Sequence, residues 1–229
     1  SLWRAGRAPD ALFMADYAVN PLGVRSDAEI ADVVRRWLAL AEQHADTAVI
    51  ACNTLSVHYH QLPVSARPSR LTKIVSMVDC FECMVTREAE RFAGKKILIV
   101  GTAFTAAQTV YPDLLRAAVA EAEVQSIGAT ALERSIARFQ PRGADVSSVF
   151  DAGLRQALEN TDIAVLACTC FPLIRTELES LFPQVAFFDP GAYSPQLLDS
   201  DNEPGPRKLG VEVTGSVVDA ARVSDFAAA

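Results

Sequence analysis

Two of the five cysteines, Cys52 and Cys168, each close a short aliphatic run and are followed by small polar residues, Asn53 and Thr54 behind the first and Thr169 behind the second. A cysteine at a strand-to-helix turn meets unbonded helix N–H groups and the positive end of the helix dipole, both of which stabilise a thiolate. Such a thiol can act as a base or a nucleophile. The same N–H groups and hydroxyls can hold a carboxylate. That matters in a chain of net charge −7 with no basic run, because an anionic ligand must be met by local donors.

A single cysteine after a strand is most often a small core residue. Here the context repeats: DTAVIACNT at 46–54 returns as DIAVLACTC at 162–170, an offset of 116 positions. A repeat implies two similar units, each with a cysteine at the carboxyl end of an equivalent strand, the edge where open α/β sheets bind ligands. Facing each other across a pseudo-two-fold axis, the units would bring both thiols to one cleft.

The elements that must position these residues follow from the hydrophobic pattern. Continuous β-branched and aliphatic runs at 48–51, 97–100, 163–166 and 185–188 predict buried strands. Helical periods cover 27–42, after the cap candidate Ser26, and 80–92, 109–121, 149–160 and 175–182. The alternation predicts an α/β protein of two pseudo-symmetric subdomains with mainly parallel sheets and the active site in the cleft between them. Residues 1–72 plus 188–229 are expected to form the first subdomain and 73–187 the second, while 199–208, rich in Pro, Gly and charge, read as a loop. The strand at 97–100 and its Gly101-Thr102 loop have no repeat partner, since the offset puts one near position −19. The repeat therefore predicts a further strand and ligand-facing loop, about 20 residues, ahead of Ser1.

The rest of the chain narrows the class. The pI near 5.0 argues against a nucleic-acid surface, and no apolar run approaches the roughly 20 residues that span a bilayer. The sequence therefore predicts no nucleic-acid partner and no membrane association, with the cytoplasm as compartment. An odd number of irregularly spaced cysteines predicts reduced thiols. Cys80 and Cys83 have the spacing of a metal or redox pair but fall within a predicted helix, so packing is expected of them. His58 and His60, two apart on a helix, point to different faces and are expected to pack or be solvated, so no metal site is predicted. Arg87, Glu88, Glu90 and Arg91 read as solvated helix surface. Neither phosphate-binding glycine motif is present, so no nucleotide cofactor is expected.

VIACNTLS at 49–56 and LACTCFPL at 166–173 resemble the two catalytic-cysteine motifs of the aspartate/glutamate racemase family, and most closely those of bacterial glutamate racemases. FMAD at 13–16 with NPLG at 20–23 and Ser26, IVGTAFT at 99–105 with Tyr111, FDPGA at 188–192 and VTG at 213–215 extend the likeness, in order, over nearly the whole chain. The resemblance implies a cofactor-independent, two-base racemase in which Cys52 and Cys168 exchange acid and base roles. It implies a small acidic amino acid as substrate, held by Leu22, Gly23, Asn53, Thr54, Thr102, Thr105, Thr169 and Cys170. It implies a homodimer, and D-glutamate as a supply for peptidoglycan. Aspartate racemisation, another carbanion chemistry, or binding of an acidic amino acid without turnover are the neighbouring readings. Three positions depart from the family pattern: the N-terminal Asp-Ser-Gly loop has no counterpart in the sequence, Leu22 stands where an aromatic residue is usual, and Cys170 replaces a His or Glu.

Overall fold

The computed structural model describes residues 11–16, 18–19, 22–68, 70–119, 121–137, 146–198 and 209–214, the last by backbone alone. In chain order these form β1 (Ala11–Asp16), α1 (Asp27–Ala41), β2 (Thr47–Ile50), α2 (Asn53–Gln61), β3 (Lys73–Ser76), α3 (Met77–Phe92), β4 (Lys96–Gly101) and α4 (Ala103–Ala106). Then follow α5 (Val110–Ala118), β5 (Glu123–Gly128), α6 (Thr130–Ala137), α7 (Ala152–Glu159), β6 (Ile163–Ala167), α8 (Arg175–Leu181), β7 (Ala186–Phe188), α9 (Ser194–Leu197) and β8 (Leu209–Thr214). Short 3-10 turns include Leu22–Val24, Phe171–Ile174 and Pro190–Tyr193.

Every strand pair among the described residues is parallel, as expected when helices connect the strands. The larger sheet has the order β5-β4-β6-β7; β2 pairs with β3, and β1 with β8. The last pairing returns the end of the chain to its beginning, with Asp16 opposite Thr214.

The two central strands of the larger sheet read as unbroken apolar runs because both faces are covered. Ile97, Ile99, Ile163, Val165 and Ala167 face a core built with Phe81, Met84, Val85, Tyr111 and Leu115 from α3 and α5. Leu98, Val100, Ala164 and Leu166, the alternate set, face Leu132, Leu154, Leu158, Leu178 and Phe182 on the other side. In the first unit, Ile30, Val34, Leu38 and Ala41 recur at helical spacing along α1 and bury against Tyr59, Leu71, Met14, Ala48 and Ile50.

Boundaries move from the sequence expectation where caps and pairing decide them. Ser26 does cap α1: its Oγ accepts from the Glu29 N–H while the Glu29 carboxylate accepts from the Ser26 N–H at 2.9 Å. Ser76 and Asp79 form the same box, so α3 starts at Met77, before the expected residue 80. That helix stops where Gly94 takes φ +66, a left-handed turn that suits glycine. The strand Lys73–Ser76 pairs with β2, so the first sheet extends past residue 73; Phe188 pairs with Val165, so the larger sheet extends past 187. The loop expected at 199–208 lies outside the described residues. No helix among the described residues is long and apolar enough to cross a membrane.

Candidate active site

β2 delivers its chain through Ala51 to Cys52, which is extended (φ −150, ψ 123) and caps α2. Ser56, fully buried, fixes this corner: its hydroxyl donates toward the carbonyls of Cys52 (2.7 Å) and Ile50 (3.1 Å) and accepts from the Met77 N–H at 2.9 Å. The start of α3 is thereby tied to the turn that carries the thiol.

β6 ends in a different corner. The Cys168 carbonyl accepts from the Phe171 N–H at 3.0 Å and the Cys170 carbonyl from the Leu173 N–H at 3.1 Å. Pro172 and the buried Phe171 turn the chain into a 3-10 helix instead of an α-helix. The expectation of a helix N-terminus at each cysteine therefore holds at Cys52 and fails at Cys168. Within this turn the Cys168 and Cys170 sulfurs lie 3.4 Å apart.

The two corners meet. The Thr169 hydroxyl donates to the carbonyl of Ala51 at 3.2 Å, joining the turn after β6 to the residue before Cys52. Thr54 Oγ1 and Thr102 Oγ1 lie 3.5 Å apart, and Thr102 donates to Thr105 Oγ1 at 3.0 Å. Tyr111 donates to Asn53 Oδ1 at 2.7 Å. Gly23, in the 3-10 turn with Leu22, packs so closely on Thr102 that a Cβ there would sit 3.2 Å from Thr102 Cβ. Asn53, Thr54, Thr102 and Thr105 are buried, while Cys52, Cys168 and Cys170 are part-buried and Thr169 is exposed.

Both thiols are held in the neutral form, which corrects the expectation of stabilised thiolates. Burial pushes Cys52 up to about 11; the N–H groups of Leu55 and Thr54 pull the other way but are outweighed. Cys168 stands well above the ordinary thiol range, first because of its hydrogen bond with Cys170 and then because of burial. The charges of Cys168 and Glu133 add to the rise at Cys52, and Glu133 also acts on Cys168. Glu133, in α6, is itself raised by burial, and sequence reasoning did not single it out. Its setting in an amphipathic helix beside Arg134 reads from sequence as helix surface.

The remaining candidates are packed. Cys80 is fully buried against Val75 and Met77, its thiol pushed up to about 12 by burial. His58 stacks on Phe104 at 4.7 Å, and His60 Nε2 lies 2.9 Å from Ser76 Oγ. Glu88 is not simple surface: it accepts from the Tyr193 hydroxyl at 2.8 Å and pairs with Arg91 at 2.7 Å. A cavity of about 520 Å³ opens beside β7, walled by Arg91, Arg175, Phe187 and Tyr193, and contains none of the expected site residues.

Comparison with known proteins bears on this arrangement. The chain is 32% identical over 184 residues to a glutamate racemase of Vibrio cholerae, covering 79% of this chain and 66% of that protein. It is 33% identical over 171 residues to one of Histophilus somni, covering 71% of this chain and 61% of that protein. The chain thus spans less than two thirds of the length of these relatives. The fold matches a glutamate racemase structure from Campylobacter jejuni, with TM-score 0.81 at 20% identity, over 98% of this chain and 90% of that one. It also matches an Escherichia coli glutamate racemase in complex with L-glutamate and an activator, with TM-score 0.71 at 21% identity, over 98% of this chain and 86% of that one. The Asp/Glu/Hydantoin racemase family matches residues 13–196, most of the chain, and the chain belongs to that family.

Proposed function

We propose that the protein is a cofactor-independent glutamate racemase working through Cys52 and Cys168. The observation that carries this is the meeting of the two cysteine corners across the Thr169–Ala51 hydrogen bond, with buried hydroxyl and amide groups around them. Inversion at Cα needs two bases, because one base returning its proton to the same face regenerates the starting enantiomer. The reactive state is the singly ionised pair: one thiolate removes the Cα proton from its face, and the opposite thiol delivers its own proton to the other.

The carbanion so formed is a strong base, so its charge must spread into a carboxylate gripped by oriented donors in a water-poor cleft. Thr54, Thr102, Thr105 and Thr169 offer hydroxyls. Asn53, its oxygen engaged by Tyr111, keeps its Nδ2 hydrogens for a carboxylate. Leu22, Gly23 and Cys170 complete the substrate contacts on this reading. On the same reading the protein works in the cytoplasm, as a homodimer, and its D-glutamate goes to peptidoglycan. Circular dichroism of L- and D-glutamate solutions, with aspartate in parallel, tests the assignment: both glutamate signals decay to zero with the enzyme. A signal that stays constant while the amino acid binds calorimetrically would leave a binding protein in its place.

A further inference from the structure

The strongest feature outside the two-base scheme is the second sulfur beside Cys168. Cys170 occupies the turn position two residues on, and its Sγ lies 3.4 Å from Cys168 Sγ, where a disulfide needs about 2.05 Å. Two Cα steps of about 3.8 Å, bent at Thr169, keep the pair within the roughly 4.4–6.8 Å that disulfides span. The turn is held by the Cys168 and Cys170 carbonyl bonds and by the Thr169 bond to Ala51, so the sulfurs can close by side-chain rotation while the backbone stays in place. Both side chains are part-buried at the margin of the core beside β6, whereas Cys80 is sealed within the protein.

We propose that Cys168 and Cys170 form a reversible oxidation site for hydroperoxides, closing to an intrachain disulfide. The Cys170 thiolate attacks the O–O bond, becoming a sulfenic acid and releasing hydroxide that is protonated to water. The Cys168 thiolate then attacks that sulfur, forming the S–S bond and expelling a second hydroxide, likewise protonated to water. Two thiols and one hydrogen peroxide thus become one disulfide and two waters, the two electrons passing to the peroxide oxygens. The disulfide removes the proton-carrying group from one face of the cleft, a consequence that rests on the racemase reading.

The test treats the intact folded protein with hydrogen peroxide, alkylates it with N-ethylmaleimide after acid denaturation, and maps tryptic peptides by mass. Residues 156–175 lie between two arginine cleavage sites and contain Cys168 and Cys170 as their only cysteines. The expected result is this peptide two hydrogens lighter and unalkylated, reverting to a doubly alkylated form with dithiothreitol, while Cys52 stays alkylated throughout. In Cys170→Ser no reversible two-hydrogen loss occurs. A peptide that remains doubly alkylated, a cross-link from Cys168 to Cys52, or two oxygens added to Cys168 with Cys170 alkylated would each overturn the proposal. Racemase turnover, measured in parallel, falls more than about tenfold on oxidation and returns with dithiothreitol. A disulfide in a protein that shows no turnover before oxidation would remove the racemase reading and leave the oxidation site standing.

Discussion

Burial makes Cys52 a poor base at neutral pH and a strong one once ionised, with its thiol pushed up to about 11. Because a raised pKa keeps the thiol protonated to higher pH, the ionised fraction grows about tenfold per pH unit below it. In consequence kcat/KM for glutamate rises steadily from about pH 7 to beyond the ordinary thiol value of about 8.5; a plateau at or below that value would contradict the assignment. Glu133 opposes ionisation of both thiols, so Glu133→Gln shifts the same profile toward lower pH, and an unmoved or alkaline-shifted profile counts against its role. The two cysteines were legible as a repeat because strand, thiol and hydroxyl recur together. The balance of their charge was not, since burial depth is a tertiary quantity, and the charge of Glu133 acts on the thiols only through the folded arrangement.

At the scale of elements, the site depends on short pieces wedged against glycines. A Cβ on Gly128 would stand 2.9 Å from the Ala103 backbone, the first residue of α4, whose cap is Thr102. Gly128→Ala therefore displaces α4, costing roughly 1–3 kcal/mol in urea unfolding and raising KM for glutamate. Unchanged stability and KM would show α4 to be adaptable. Ser26→Ala removes the capping box of α1 and lowers stability by about 1 kcal/mol, with turnover kept because the cap lies outside the thiol corners; thermal unfolding measures it. The buried central strands were readable because cover on both faces makes them continuously apolar. β5, at the sheet edge, is exposed or half-buried along its whole length, β3 is a four-residue piece, and β1 pairs with the distant β8, so pairing rather than pattern defines them.

Across the whole molecule, Cys52, Cys80 and Tyr193 are all raised, the last two to about 12, and Tyr111 and Cys168 well above their ordinary values. The folded state thus holds protons that the unfolded chain releases earlier, so stability is fully present below about pH 8.5 and falls as pH rises through 11 to 12. The urea midpoint under reducing conditions should drop between about pH 8 and pH 10.5, and a constant midpoint would mean these groups are less buried than described. The organisation into parallel α/β units with a cysteine at each equivalent edge was legible from the repeat, whereas the β1–β8 pairing, which joins the two ends of the chain, leaves no local signature. The account as a whole turns on two thiols acting from opposite faces. It is tested most directly by proton NMR of L- and D-glutamate in heavy water with the intact chain and with Cys168→Ser. The intact protein should wash out the Cα proton of both enantiomers with inversion, and the variant should confine exchange to one enantiomer and lose inversion by at least about a hundredfold; inversion at the intact rate in Cys168→Ser would contradict the two-thiol mechanism.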